Sequence, residues 1–218
     1  MIVICGSYCS GKNYFINKLN DNKLLNLNEF IHSDLDDVRY KIPEYNELVS
    51  KTKTMWNIST LTNKEAGYIV ELIQKHALFQ GYNLLINSSL KDHEWYYSYF
   101  TWINNTFPSY TAKLFYMQAS VQDILKRNLI RGQNEGRIIP YETLKNSCEN
   151  SQKSFEKIKC HPLFQYDYNE LQSSCSLDLE PYNWNYKCDL SDVDCRYFDE
   201  NGNIKQHQYK QIKKMLDQ

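Results

Sequence analysis

Apolar residues along the chain follow two periods. Runs rich in Ile, Leu, Val and aromatic residues at Ile2–Cys5, Leu25–Ile31, Tyr82–Ile86 and Lys113–Met117 have the length and composition of strands, the first apolar throughout as a buried strand would be. Between them apolar positions recur three and four apart, the period of a helix. Phe15, Ile16 and Leu19 form one such stripe; Ala66, Ile69, Val70, Ile73 and Ala77 a second; Val121, Ile124, Leu125 and Asn128 a third; Leu144, Cys148, Ser151, Phe155 and Ile158 a fourth. Boundary residues agree with the stripes. Thr62 with Glu65 reads as a capping box, Gly81 as the residue after a helix end, Ser120 with Asp123 as a cap, and Pro140 as a helix start. His93 to Asn105 is a strongly aromatic helix whose Trp95, Tyr99 and Trp102 share a face, suited to core packing or to a stacking platform. Residues 44–61 are polar and read as helical with a break. Periodicity is lost from Cys160 to Leu190, and Asn201-Gly202 between strand-like flanks at Arg196–Tyr209 predicts a hairpin. Strands alternating with helices predict an α/β fold, a parallel sheet flanked by helices with a C-terminal appendage.

The 218 residues suit one domain with an appendage, and a formal net charge of −1 gives no electrostatic footprint for duplex nucleic acid or an anionic membrane. No apolar stretch approaches the roughly 20 residues needed to cross a bilayer. The N-terminus lacks a basic region and its strand leads directly into a loop, so a signal peptide is not expected and a cytoplasmic location is. The 7 cysteines are odd in number and form no CxxC pair, which predicts reduced thiols. Four cysteines and His161 crowd the C-terminal third, at spacings too wide and uneven for a standard zinc finger. Asp199, Asn201 and Asn203 begin like a calcium loop, but its later Gly and Glu are missing.

Chemistry concentrates at the first strand–helix junction. GSYCSGK (6–12) is a GxxxxGK phosphate-binding loop, the Walker A pattern, placed between a strand and a helix. Gly6 and Gly11 let the backbone of Ser7, Tyr8, Cys9 and Ser10 curl so that its N–H groups face phosphate oxygens, and Lys12 reaches the β- and γ-phosphates. The alternative is an incidental Gly-containing turn, which the scarcity of glycine disfavours: two of only 7 stand at the two required places. Asn13 occupies the position where Ser or Thr would place a hydroxyl on magnesium. The fold expected is therefore of the P-loop NTPase and nucleoside-kinase type, with ATP and Mg2+ as cofactors and Asn13 as candidate metal ligand. Further on, HSDLDDVR ends the second strand with three carboxylates, Asp34, Asp36 and Asp37, at the edge where open α/β sheets bind ligands. Asp34 also suits a helix cap, and both roles are compatible. An aspartate beside the loop is the natural group to take a proton from an acceptor hydroxyl.

SDLDDVRYKIPEY resembles the D-x-D-x-x-R…P-x-Y segment that follows strand two in zeta-toxin-type P-loop kinases. The resemblance implies phosphorylation of a hydroxyl on a sugar nucleotide, UDP-N-acetylglucosamine in the best-known members. It places Asp36 on the family's catalytic aspartate, Asp34 on the acidic residue before it, and Arg39 on its basic partner, with Leu35 in place of a small residue. After the third strand the family has (D/E)-G-T-x-R, which contacts substrate and nucleotide. Ser89 fills the Thr position and Lys91 the Arg position, whereas Asn87 replaces the acid and Ser88 the Gly. The resemblance also leaves room for an antitoxin-like protein partner beside a small-molecule substrate.

Arg127 and Arg131 stand four apart on one helix face, followed by a loop that Gly132 and Gly136 bracket and that carries Arg137. Guanidinium forks suit the charge developing on a transferring phosphoryl group. A solvated basic face is the plain alternative. The resembling family shows R-x-x-x-R-x-x-x-x-G-R-x-x-P here, and every fixed position is present. The expected organisation is a kinase core over residues 1–159 with a lid at 132–139, then an extension over 160–218 built from a hairpin and a helix. The function expected is a kinase with an alcohol acceptor. Asp36 is its catalytic base; Lys12 and Arg127 hold the nucleotide, and Arg131 and Arg137 neutralise transition-state charge. Asp34, Arg39, Ser89 and Lys91 lie toward the acceptor. A nucleoside or polynucleotide kinase, or a nucleotide-binding module without turnover, are the rival readings.

Overall fold

The computed structural model describes residues 1–51, 59, 61–135, 139–165 and 167–173. The expected hairpin at 196–209, Arg137, and Cys175, Cys188 and Cys195 lie outside them. Within them runs a five-stranded parallel sheet: β1 (Ile2–Cys5), β2 (Phe30–Asp34), β3 (Asn83–Ser88), β4 (Lys113–Gln118) and β5 (Tyr168–Gln172). Its order is β2-β3-β1-β4-β5. The helices are α1 (Lys12–Asp21), α2 (Leu35–Arg39), α3 (Pro43–Lys51), α4 (Asn63–Phe79), α5 (His93–Thr106), α6 (Val121–Glu135) and α7 (Tyr141–Ile158).

The alternation of side chains along each strand divides the core. Val3, Cys5, Leu84, Ile86, Leu114 and Tyr116 face a layer built from α4, α5 and α7, where Phe100, Ile103, Phe155 and Ile158 are buried. Ile4, Leu85 and Met117 face the other way, against Ile16 of α1 and Leu25. Covered on both faces, the central strands must be apolar almost throughout, which is why IVIC and LLI read so clearly. Phe155 stacks on Tyr116 with ring centroids 4.4 Å apart. The Trp95, Tyr99 and Trp102 rings stack in series at 4.9 and 5.6 Å; Tyr99 is buried, and Tyr96 and Trp102 pack against the main core.

Four expectations need correction. The second strand begins at Phe30, because Asn26 accepts from Asn28 N and turns Leu27–Glu29 into a short 3-10 helix. Thr62 does not cap α4; its hydroxyl takes Arg39 Nε at 3.2 Å instead, and a bond to a charged donor is worth more than one to a helix N–H. Val121 is exposed, while Ile124, Leu125 and Asn128 are buried. A strand also stands where no period was visible: β5 pairs with β4 from Tyr168 opposite Leu114 to Gln172 opposite Gln118. As an edge strand it needs little apolar surface, and YNELQ carries none of the alternation that would announce it. The sheet thus runs on past residue 159.

His161 gives this packing a pH limit. It is buried, its Nδ1 accepts from Leu163 N at 3.1 Å, and burial lowers its pKa. The neutral ring is the form the fold needs, so between its ordinary value near 6.5 and the lowered folded value the unfolded state binds the extra proton. Stability should fall as pH falls below about 6.5. Urea titrations at a series of pH values should show this slope in the native protein and a shallower one in His161→Gln; equal slopes would remove the assignment.

Candidate active site

The chain leaves β1 over one face of the sheet through α1, and leaves the adjacent β4 toward α6 and α7, the latter on the opposite face. Adjacent strands whose connections diverge open a crevice at their C-terminal ends, and the GSYCSGK loop lies there. Gly6 has φ +149°, and a Cβ on it would collide with the carbonyl oxygen of Met117 in β4. Gly11, at φ +98°, precedes α1 without a side-chain cap, and no acidic residue sits in the first helical turn. The N–H groups and positive dipole end of α1 are thus left for an anion.

Three distant elements pin the loop. Ser147 Oγ of α7 accepts from Tyr8 N at 3.2 Å. Arg127 Nη1 donates to Cys9 O at 3.1 Å and to Ser173 Oγ at 2.9 Å, and Ser173 Oγ donates to Ser10 O at 2.6 Å. Lys12 Nζ folds back onto Gly6 O and Ser7 O, both at 2.9 Å. Burial lowers the Lys12 pKa, and the charge of Asp34 is the largest influence opposing that. Cys5, Cys148 and Cys160 are free thiols among the described residues, and burial pushes the Cys5 and Cys148 thiols up.

On the β2 side, Asp34 Oδ1 accepts from Asp36 N at 2.7 Å and so caps α2. Its Oδ2 accepts from Asn87 Nδ2 at 2.5 Å, and the same nitrogen donates to Asn13 Oδ1 at 2.6 Å. Burial raises the Asp34 pKa, which the Asp36 N–H partly offsets. Asp36 is the carboxylate between arginines: Oδ1 pairs with Arg39 Nη1, and Oδ2 lies 3.4 Å from Arg131 Nη2. Arg39 is buried, and its remaining nitrogens donate to Thr62 Oγ1 and Asn63 Oδ1. Asp37 is exposed and faces His32 at 3.5 Å.

The fold therefore gathers Lys12, Asn13, Asp34, Asp36, Arg39, Arg127 and Arg131 around one crevice, with Arg39 placed behind Asp36. Ser89 is half-buried after β3, and Lys91 is exposed, its carbonyl held by Ser154 Oγ at 3.4 Å. Ser147 and Ser173 left no mark in the sequence. Asn128 did, as a polar residue on an apolar stripe; its amide bonds both Ile139 O at 2.8 Å and Ile139 N at 2.9 Å.

A phosphate-binding loop after the central strand of a 2-3-1-4-5 parallel sheet defines a nucleotide-binding protein of the P-loop kinase class. The zeta toxin family profile matches residues 1–172, and the chain belongs to the zeta toxin family. Among curated proteins none matches. A chain from the PezAT chromosomal toxin–antitoxin system of Streptococcus pneumoniae is similar at a TM-score of 0.61 and 18% identity, over 99% of this chain and 83% of that one. A chain of the Pnkp1/Rnl/Hen1 RNA repair complex reaches 0.51 at 15% identity, over 100% and 67%. Deoxyadenosine kinase from M. mycoides with bound dATP reaches 0.47 at 15% identity, over 82% and 92%. At such identities the likeness is one of fold. No helix among the described residues is long and apolar enough to cross a membrane.

Arg39→Ala would leave Thr62 and Asn63 without their donor and Asp36 without its inner guanidinium. Loss of a buried guanidinium from three acceptors, one of them a carboxylate still 32% exposed, predicts a destabilisation of about 2 kcal/mol. Urea unfolding should show it as a lower midpoint at unchanged slope; a loss under about 1 kcal/mol would mean that water replaces the guanidinium at little cost.

Proposed function

We propose that the protein is a kinase that transfers the γ-phosphoryl group of ATP to a hydroxyl of a small molecule. The observation that carries this reading is the Asp36 carboxylate, fixed by Arg39 and facing Arg131, on the same crevice as Lys12 and the uncapped start of α1. The loop N–H groups, Lys12 and Arg127 hold the triphosphate. Asp36 accepts the proton of the attacking hydroxyl, and Arg131 and Arg137 meet the charge that builds on the phosphoryl oxygens. Ser89 and Lys91 face the acceptor, and Asp34 serves that side through the cap that aims Asp36. A sugar nucleotide such as UDP-N-acetylglucosamine is the acceptor suggested by family membership, and an antitoxin-like protein is the partner suggested by the family and by the S. pneumoniae system. ATP arrives as its magnesium complex, the usual substrate of such loops.

One observation favours a second reading, a nucleotide-binding module without turnover: Asn13 and Asn87, at positions where a hydroxyl and an acid are expected, are bonded to each other. Product analysis by mass spectrometry after incubation with ATP, magnesium and candidate acceptors separates the two.

Lys12→Ala should abolish tight ATP binding and leave the far-ultraviolet circular dichroism intact; unchanged affinity in the folded variant would end the nucleotide reading. Asp36→Asn should keep ATP affinity and lower turnover by about 10²–10⁴-fold, the scale of a lost general base. Asp37→Asn should change turnover far less, since its exposed side chain faces His32. Equal losses at the two positions would show that the carboxylates act as a charge cluster and that Asp36 has no special role.

A further inference from the structure

Asn87 stands at the end of β3 directly opposite Asp34 of β2 in register, with the start of α1 above both. Its amide nitrogen has two hydrogens and two acceptors, Asn13 Oδ1 at 2.6 Å and Asp34 Oδ2 at 2.5 Å. Its amide oxygen is buried and has no hydrogen-bond partner among the described residues. The orientation of this amide is therefore selected by its nitrogen alone. Turning it over would set three oxygens against one another with no hydrogen between them.

In P-loop enzymes the side chain after the loop lysine and an acid across from it commonly reach magnesium. Here those oxygens, an amide carbonyl and a carboxylate, are hard donors of the right class. Both are already taken by a hydrogen-bond donor lying between them, and the other carboxylate oxygen of Asp34 is taken by the Asp36 N–H. An ion between Asn13 and Asp34 would have to displace that amide, so these residues do not fit one held there.

We propose that the Asn87 amide takes the place of a divalent cation between Asn13 and Asp34, so that this chain gives magnesium no direct ligand from these residues and the ion is carried by the nucleotide phosphates and water. A neutral donor suits the position in a way a second carboxylate would not. Asp34 and an acid at position 87 would lie side by side in a buried place, and only a cation or a shared proton could hold them together. Asn13 completes the arrangement, because its longer arm carries an acceptor to Asn87 where a Ser or Thr hydroxyl would stop short. The proposal rests on the nucleotide reading for where the phosphates lie, but what it says of these three side chains is testable without nucleotide or turnover.

The test uses Mn2+ as a paramagnetic probe, with the full-length protein and no nucleotide, free Mn2+ being followed by electron paramagnetic resonance. The native protein should show no saturable site below about 10 mM, whereas Asn87→Asp should bind one Mn2+ at about 0.1–1 mM, the range of weakly held oxygen sites. Thermal unfolding provides the second measure: 1 mM Mn2+ should raise the midpoint of Asn87→Asp and leave the native midpoint unmoved (about 1 mM being the added concentration). Saturable Mn2+ binding by the native protein below about 10 mM overturns the proposal, and so does a native midpoint that rises with Mn2+. The native arm decides the matter even if the variant does not fold. Failure of the kinase reading would appear separately, as loss of ATP binding or of product with these metal results unchanged.

Discussion

Asp34 is the side chain on which the site's geometry turns. A carboxylate this far from water is costly unless its lone pairs are filled and a positive charge lies near. The Asp36 N–H and the Asn87 amide fill the oxygens, and Lys12 supplies the charge. Each requirement fixes a piece of backbone. The Asp36 bond begins α2 and so aims the Asp36 side chain; the Asn87 bond ties the ends of β2 and β3; the Lys12 influence sets the loop beside both. Lys12 is held the same way in return, since burial works against its charge and Asp34 works for it.

The loop itself is local in sequence but not in its support. Tyr8, Cys9 and Ser10 are bonded to Ser147, Arg127 and Ser173, which stand 139, 118 and 163 residues away. Seven residues with a left-handed turn at Cys9 cannot hold that shape alone, because each N–H aimed inward is one that the loop does not satisfy itself. β5 therefore belongs to the site as much as to the sheet: Ser173 follows it directly and is placed by the bond from its N–H to Gln118 O.

What could be read in the sequence is what is repeated or crowded. β1, β3 and β4 are legible because central parallel strands must be apolar on both faces, and α6 and α7 because their stripes recur over several turns. The Gly6, Gly11 and Lys12 pattern is legible because backbone strain and close approach leave few substitutes. Single polar contacts across the fold leave no such trace. Nothing about Thr62 distinguishes a helix cap from an acceptor for a buried arginine, nothing in YNELQ marks an edge strand, and Ser173 is one serine among many. Asn87 was visible as a departure from a motif, but its partners are set by the β2–β3 register, which local sequence does not encode.

The same register separates the two arginines that hold Asp36. Arg39 comes from the helix Asp34 begins, is buried, and has two further acceptors in Thr62 and Asn63, so withdrawing it would break three bonds at once. Arg131 reaches Asp36 from α6 across the crevice, at 3.4 Å and with part of its side chain in water. The two guanidiniums pair with different oxygens of the one carboxylate. In the proposed reaction the γ-phosphate offers Arg131 a second anionic partner with the geometry its fork prefers. On that proposal the division of labour follows from burial: Arg39, inside the protein, keeps Asp36 aimed, and Arg131, partly in water, is the arginine that a phosphate can draw toward itself.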